Sequence, residues 1–359
     1  KVPVILAGRV STPEQAERVL AAGVCDMVGM TRAMIADPEM PKKAMEGRLD
    51  DIRTCVGASE GCIGRLRQGK AITCVQNPLI GREEELGIIT PARRSRRVLV
   101  VGGGVGGLET ARVAALRGHK VTLLEAAPAL GGQVLVAARA PKREDYAAIA
   151  HWLVGQVRKA GVDVRLNAPA DVADVLRLGA ESVVVATGAV PRVPQIPGVH
   201  LAHVTTASDV LTGQIRPGAR CVVVDEDGHF TAPTTADFLT GKGCQVTIIT
   251  RYFMVGEDID EGVRSDIYQR LFTQGVVIHP MTQAVEMLPA GLRTRHTFSG
   301  VETVLEADTV VLAFGGKAND SLFHQLTGKV PELTMIGDAV SPRRIHDALL
   351  EGTRVARTI

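Results

Sequence analysis

The chain has 359 residues, roughly 2.4 times the ~150-residue domain prior, so two or three domains are expected. With 45% hydrophobic and 22% charged residues it is not a disordered or collagenous chain, and 41 Lys and Arg against 39 Asp and Glu leave a net charge of only +2. So small an imbalance gives no field to recruit nucleic acid or an anionic membrane, and neither is expected as a partner. No apolar run reaches the ~18 residues of a spanning helix, and the first residues lack the length and cleavage pattern of a secretory signal, so a cytoplasmic location is expected.

Val2 to Leu6 predicts a short buried strand, Gly8-Arg9 a turn, and Ser11-Thr12-Pro13-Glu14 a capping box opening a helix that Gly23 stops. A second strand over Asp26–Met30 leads into Thr31-Arg32 and another helical stretch, giving two consecutive βα units over residues 1–52. Each strand-end turn pairs open backbone with an arginine, as a phosphate site needs, although two surface arginines in βα loops would read the same.

The next segment, 53–94, is glycine-rich and places Cys55, Cys62 and Cys74 within twenty residues. Clustered thiolates on loops of a cytosolic chain suit zinc or an iron–sulfur centre better than disulfides. Position 58, where a Cys-x2-Cys pair would put a second thiolate, is Ala. Ser59 and Glu60 are the nearby oxygen donors. Cys25, Cys221 and Cys244 lie in or beside apolar strands and are expected in the core.

A polar link with the basic run Arg93–Arg97, expected to be solvated, precedes the domain of residues 95–205 and 325–359. Val98–Val101 is a buried strand, Gly102, Gly104 and Gly107 fall in a Gly-x-Gly-x-x-Gly turn, a helix runs over Leu108–Arg117, and Val121–Leu124 ends at Glu125. In that context the glycines allow a tight turn, close approach of a pyrophosphate and helix–strand packing, while Glu125 accepts from ribose hydroxyls. Gly131-Gly132-Gln133, the apolar strand ending at Thr187-Gly188, and Gly337-Asp338 resemble the FAD or ADP series of flavoproteins with two dinucleotide folds.

Residues 206–324 repeat the unit: Cys221–Asp225 answers Val98–Gly102, Gln245–Thr250 answers Lys120–Glu125, and Val310–Gly315 answers Val183–Gly188. The glycine turn is lost, however, to Asp225-Glu226-Asp227-Gly228-His229-Phe230. Three carboxylates facing a pyrophosphate predict that this module is a degenerate NAD-type domain, unless Arg251 meets a 2′-phosphate.

Taken together, GMTRAMIADPEMPKKAMEGRLDDIRTCVGASEGCIGR, ITCVQNP and the two nucleotide-fold repeats resemble the long NADH:flavin oxidoreductases of the Old Yellow Enzyme superfamily, the group of trimethylamine dehydrogenase, 2,4-dienoyl-CoA reductase and N-methylproline demethylase-like proteins. The resemblance runs the length of the chain. It implies an α/β fold: the last two βα units of a TIM barrel, an iron–sulfur loop, and two Rossmann-like domains, the second inserted in the first. It implies that Gly8, Arg9, Thr31 and Arg32 hold the phosphate of FMN, that Cys55, Cys62 and Cys74 hold an iron–sulfur cluster of the 4Fe-4S kind, and that FAD or ADP fills the first nucleotide site. The other barrel units, with the catalytic residues, would lie upstream of Lys1. The acidic turn favours members that oxidise an amine or N-methylamine and pass electrons from FMN through the cluster to an external carrier such as an electron-transfer flavoprotein. NAD(P)H-dependent enoate reduction, and an electron-transfer module without a catalytic centre, are the alternatives. A small-molecule substrate and an oligomer fit either enzyme.

Overall fold

The computed structural model describes residues 2–359, which divide into two compact units. One comprises residues up to Leu135, Asp145–Ala189 and Ala318–Ile359. It opens with β1 (Ile5–Ala7) and β2 (Met27–Gly29), a parallel pair in which Ala7 lies opposite Gly29. Both strands are shorter than the apolar runs suggest, and burial fails: Val2 is 86%, Ile5 62% and Met27 51% exposed, because among the described residues β1 pairs with β2 alone. The helix Pro13–Ala21 is capped by Thr12, whose hydroxyl accepts from the Gln15 N–H at 3.2 Å. The reciprocal bond runs from the Ser11 N–H to Gln15 rather than to Glu14.

The body of this unit is a five-stranded parallel sheet in the order β17 (Leu333–Met335), β6 (Ser182–Val185), β3 (Arg97–Val101), β4 (Lys120–Leu124), β5 (Asp163–Arg165). Val98 to Val101 and Val183 to Val185 are buried without alternation, as expected of central strands of a sheet covered on both faces. The helix Val105–Leu116 packs its small residues against the C-terminal helix Ile345–Thr358: a Cβ at Gly352 would lie 2.5 Å from the Gly106 carbonyl. The basic run is not a free linker. Arg94 pairs with Glu181 at 2.5 Å, Arg96 with Glu332 at 2.7 Å, and Arg97 donates to the Gly179 carbonyl, so these side chains tie strand ends together.

The other unit comprises Val136–Glu144 and Val190–Lys317, and the chain passes between units along β7 (Ala189–Pro191) and β16 (Gly316–Ala318). Its parallel sheet runs β8 (Val204–Thr206), β15 (Thr309–Ala313), β9 (Arg220–Asp225), β10 (Gln245–Thr250), β11 (Val277–His279). Four strands repeat the order of the first sheet, with β9 in the place of β3, but the edge strand β8 precedes them in the chain where β17 follows. An antiparallel meander of β12 (Thr282–Leu288), β13 (Gly291–His296) and β14 (Glu302–Glu306) completes the unit. Besides the two that bracket Val136–Glu144, the crossings fall at 189/190 and 317/318, not near Thr205 and His324, because Val204–Thr206 is already a strand of this second sheet, Val310 lying opposite Val204.

Candidate functional site

The glycine turn after β3 is built as a phosphate cradle. Gly102 has φ +110°, and a Cβ there would sit 2.2 Å from the Ala186 carbonyl; at Gly107 it would sit 2.0 Å from the Gly102 carbonyl. Gly104 differs from both. A Cβ on it would meet nothing within 4 Å, so open space lies in front of the turn. Gly104 is also the N-cap of the helix Val105–Leu116 and offers no capping side chain, so no side chain competes with an anion for the start of that helix.

The other residues singled out for this site converge on the turn. Gly131 donates to the Gly103 carbonyl at 2.8 Å, and a Cβ at Gly132 would lie 3.1 Å from Gly104 Cα. The Gln133 amide donates to Asp338 at 3.2 Å and faces Gly188. The Thr187 hydroxyl donates to the Asn319 carbonyl at 2.5 Å. Gly337 takes φ +64° and donates to Glu351 at 2.7 Å. Burial pushes the Asp338 carboxyl above its usual range, although the Arg343 N–H and Gln133 donate to it. Glu125 is engaged within the turn, accepting from the Gly103 and Ala127 N–H groups at 2.7 Å each. A carboxylate has further lone pairs, so ribose hydroxyls could still bond to it.

Cys55, Cys62 and Cys74 line one small cavity, together with Ala58, Ser59 and Arg32. Their approach depends on Gly61, where a Cβ would fall 2.9 Å from the Thr73 carbonyl and 3.0 Å from Cys74 Cα. Burial pushes the Cys74 thiol up, while the backbone N–H groups of Gln76 and Asn77 point at its sulfur and favour the thiolate. Among the described residues no three His, Cys, Asp or Glu side chains are placed to hold a single metal ion. Three thiols around a shared cavity, with amides aimed at one sulfur, fit an iron–sulfur core better than a lone zinc ion.

Gly8 and Arg9 follow β1 with left-handed φ values, and Thr31 and Arg32 open the helix Thr31–Ala36 after β2, so the two turns stand at the same end of adjacent parallel strands. Arg9 pairs with Asp145 at 2.5 Å, and its guanidinium lies about where a Cβ on Gly57 would point, 3.1 Å away. The candidate phosphate turns therefore touch the cysteine loop.

Sequence reasoning missed Arg344 and Tyr146, and it took Glu60 only as a nearby oxygen donor for the metal. Glu60 accepts from Arg344 at 2.9 Å and from the Tyr146 hydroxyl at 3.2 Å. His346, in the first turn of the helix Ile345–Thr358, places Nδ1 2.9 Å from the Cys74 carbonyl. These contacts join segments up to 284 residues apart, and no local pattern marks them.

In the second unit the three carboxylates of the turn after β9 do not face one common space. Asp225 is buried, accepting from the Gly228 N–H at 3.0 Å, and the Thr250 hydroxyl also favours its charged form. Asp227 accepts from the Thr231 hydroxyl at 2.8 Å, and Glu226 pairs with Arg251 at 3.3 Å. Tyr252 packs on this turn: its ring stands 2.9 Å from where a Cβ on Gly228 would be, and its hydroxyl donates to the Glu226 carbonyl at 3.3 Å. The Arg251 side chain, 57% exposed, reaches Glu226 from the surface.

Residues 54–175 and 96–339 match the pyridine nucleotide-disulphide oxidoreductase family. The chain belongs to this family. It is 34% identical over 381 residues to a metal reductase of Desulforamulus reducens, aligning 97% of this chain with 56% of that protein. It is 35% identical over 402 residues to the N,N-dimethylglycine/sarcosine dehydrogenase of Chromohalobacter salexigens, with 99% of this chain and 57% of the relative covered. Among solved structures, a 2-naphthoyl-CoA reductase superposes with a TM-score of 0.95 at 31% identity, covering 100% of this chain and 54% of that one. The relatives include reductases and demethylases like those of the Old Yellow Enzyme superfamily, and the chain spans little more than half their length.

Proposed function

We propose that this chain is the cysteine loop and twin nucleotide fold of a flavin- and iron–sulfur-dependent oxidoreductase that oxidises an amine or N-methylamine and passes the electrons to an external carrier. In this reading β1 and β2 are the last strands of an FMN-binding barrel, and their exposed apolar side chains support it. Arg9 and Arg32, with the open backbone at Gly8 and Thr31, would hold the FMN phosphate. The helix N-terminus at Gly104 would take the pyrophosphate of FAD or ADP, Glu125 the ribose, and Gln133 and Asp338 the region beyond. Cys55, Cys62 and Cys74 would hold the cluster. Bound there, the flavins supply two-electron and the cluster one-electron redox chemistry.

The residues of the chain set the direction. The observation that carries the reading is Tyr252 packed against Gly228, which sets an aromatic ring beside the turn where the pyrophosphate of a nicotinamide donor would dock in the second unit. Anaerobic stopped-flow mixing of the intact protein tests it. Amine substrates with an artificial acceptor should turn over, while NADH and NADPH should give no saturable flavin reduction. Fast, saturable reduction by either nucleotide would assign the protein to the enoate or CoA-ester reductases, the chemistry named for the 2-naphthoyl-CoA reductase neighbour.

A further inference from the structure

We propose that the core held by Cys55, Cys62 and Cys74 has one corner without a protein ligand thiolate, the corner facing Ala58 and Ser59, and that this corner takes an exchangeable divalent transition-metal ion. The inference rests on the cluster reading above and concerns only how the fourth position is filled.

Three observations lead to it. Ala58 is buried, at 7% exposure, and lines the same cavity as the three thiols, so a methyl group occupies the wall where a fourth sulfur is absent. Glu60, the strongest oxygen donor nearby in sequence, does not line that cavity: both its oxygens are engaged, one by Arg344 and one by Tyr146. Ser59 does line it, held at φ +63° in the left-handed region that a β-branched or bulky residue rarely adopts. A neutral hydroxyl is a hard, weak donor for iron in a sulfide framework, so the ion at this corner is bound by bridging sulfides and by exchangeable solvent or the serine oxygen.

The chemistry that follows is one-electron oxidation with loss of one metal ion. A four-iron core held there would give one electron to ferricyanide and release one iron as a ferrous ion, leaving three ferric irons with the four sulfides, while Cys55, Cys62 and Cys74 would keep their iron. Adding a reductant and a divalent ion refills the corner, with iron, cobalt or zinc accepted according to the affinity order of sulfur sites.

The experiment uses the intact protein purified without oxygen, with iron and sulfide analysis and electron paramagnetic resonance before and after one equivalent of ferricyanide. Bound iron is expected to fall by about a quarter with appearance of a three-iron signal, and cobaltous ion added with dithionite is expected to remain bound after desalting. Ala58→Cys should keep its iron through the same treatment and exclude cobalt, whereas Ser59→Ala should still release it. Wild-type protein that holds four irons through ferricyanide and takes up no cobalt would overturn the open corner while leaving the cluster in place. Protein isolated with neither iron nor sulfide would overturn the cluster reading itself. If the cysteine variant does not fold, cobalt uptake by the wild-type protein decides alone.

Discussion

The Arg344 guanidinium reaches a carboxylate oxygen of Glu60 across 2.9 Å, and two residues further on His346 meets the Cys74 carbonyl at the same distance. Both limbs of the cysteine loop are thereby fastened to the start of the helix Ile345–Thr358, next to the segment that carries Asp338. The Arg344 and Glu60 side chains are 33% and 15% exposed, so the pair is only partly screened by solvent.

Removing Arg344 takes one charged partner from Glu60, which keeps the Tyr146 hydroxyl, and charge-assisted bonds of this kind contribute about 1.5–3 kcal/mol. Arg344→Met should therefore loosen the loop before it unfolds the unit. Amide hydrogen exchange should rise over residues 54–76 and remain unchanged in β9 and β10. An unchanged loop would show that the contact does not hold it.

The three fingerprint glycines should separate folding from binding. Gly102→Ala and Gly107→Ala drive a methyl group into a backbone carbonyl, so both are expected to lower the melting temperature sharply. Gly104→Val meets only open space, so it should fold normally and lose nucleotide. Nucleotide released on denaturation, read beside a melting curve, distinguishes the two outcomes. Full nucleotide content in folded Gly104→Val protein would place the ligand elsewhere.

The periodic and glycine-rich parts of this fold were legible in the sequence. Unalternated Val runs mark β3, β6, β9 and β15, and the repeat of β3–β4 in β9–β10 reproduces one four-strand order twice. Loss of the fingerprint glycines at the second turn was legible as well, but the packing of Tyr252 on it was not: Tyr252 lies 24 residues beyond Gly228, and nothing local pairs them. The same holds for Glu60 with Arg344, since ion pairs between distant segments leave no spacing to read. Burial of β1 was misread because an apolar run looks the same whether or not another strand covers it.

Asp225 gives the second unit a dependence on pH. Burial raises its carboxyl from 3.8 to about 6, with Gly228 and Asp227 N–H groups only partly offsetting the loss of water. The folded state therefore holds this proton more tightly than the unfolded chain. Stability from the neutral form is full below pH ~4, declines as pH rises toward 6, and is absent above. Asp225→Asn should raise the unfolding free energy at pH 8 by about 1–3 kcal/mol, read from urea unfolding, and the gain should vanish near pH 4. A gain of the same size at both pH values would point to packing rather than ionisation.

The buried carboxylate of the first unit should behave in the opposite way. Glu109 is 1% exposed; its oxygens take two Arg112 N–H groups at 2.8 Å, and one also accepts the Thr353 hydroxyl at 2.6 Å. Burial alone would raise its carboxyl, but Arg112, with help from Arg53, holds it below the usual range. Arg53 in turn stacks on Trp152 with its guanidinium carbon 4.0 Å from the ring centre, so the network ties the segment after Asp51 to the sheet domain. Glu109→Ala strips a buried arginine of its counter-charge and should cost about 3–5 kcal/mol in urea unfolding at pH 7. Because the folded carboxyl titrates below the unfolded one, the contribution of Glu109 is full above the unfolded value and is lost as pH falls through the folded one, so variant and wild type should converge in acid. Glu109→Met combined with Arg112→Met removes both charges and should recover most of the loss. A double variant as unstable as Glu109→Ala would show that the site needs the ion pair itself rather than the absence of an unpaired charge.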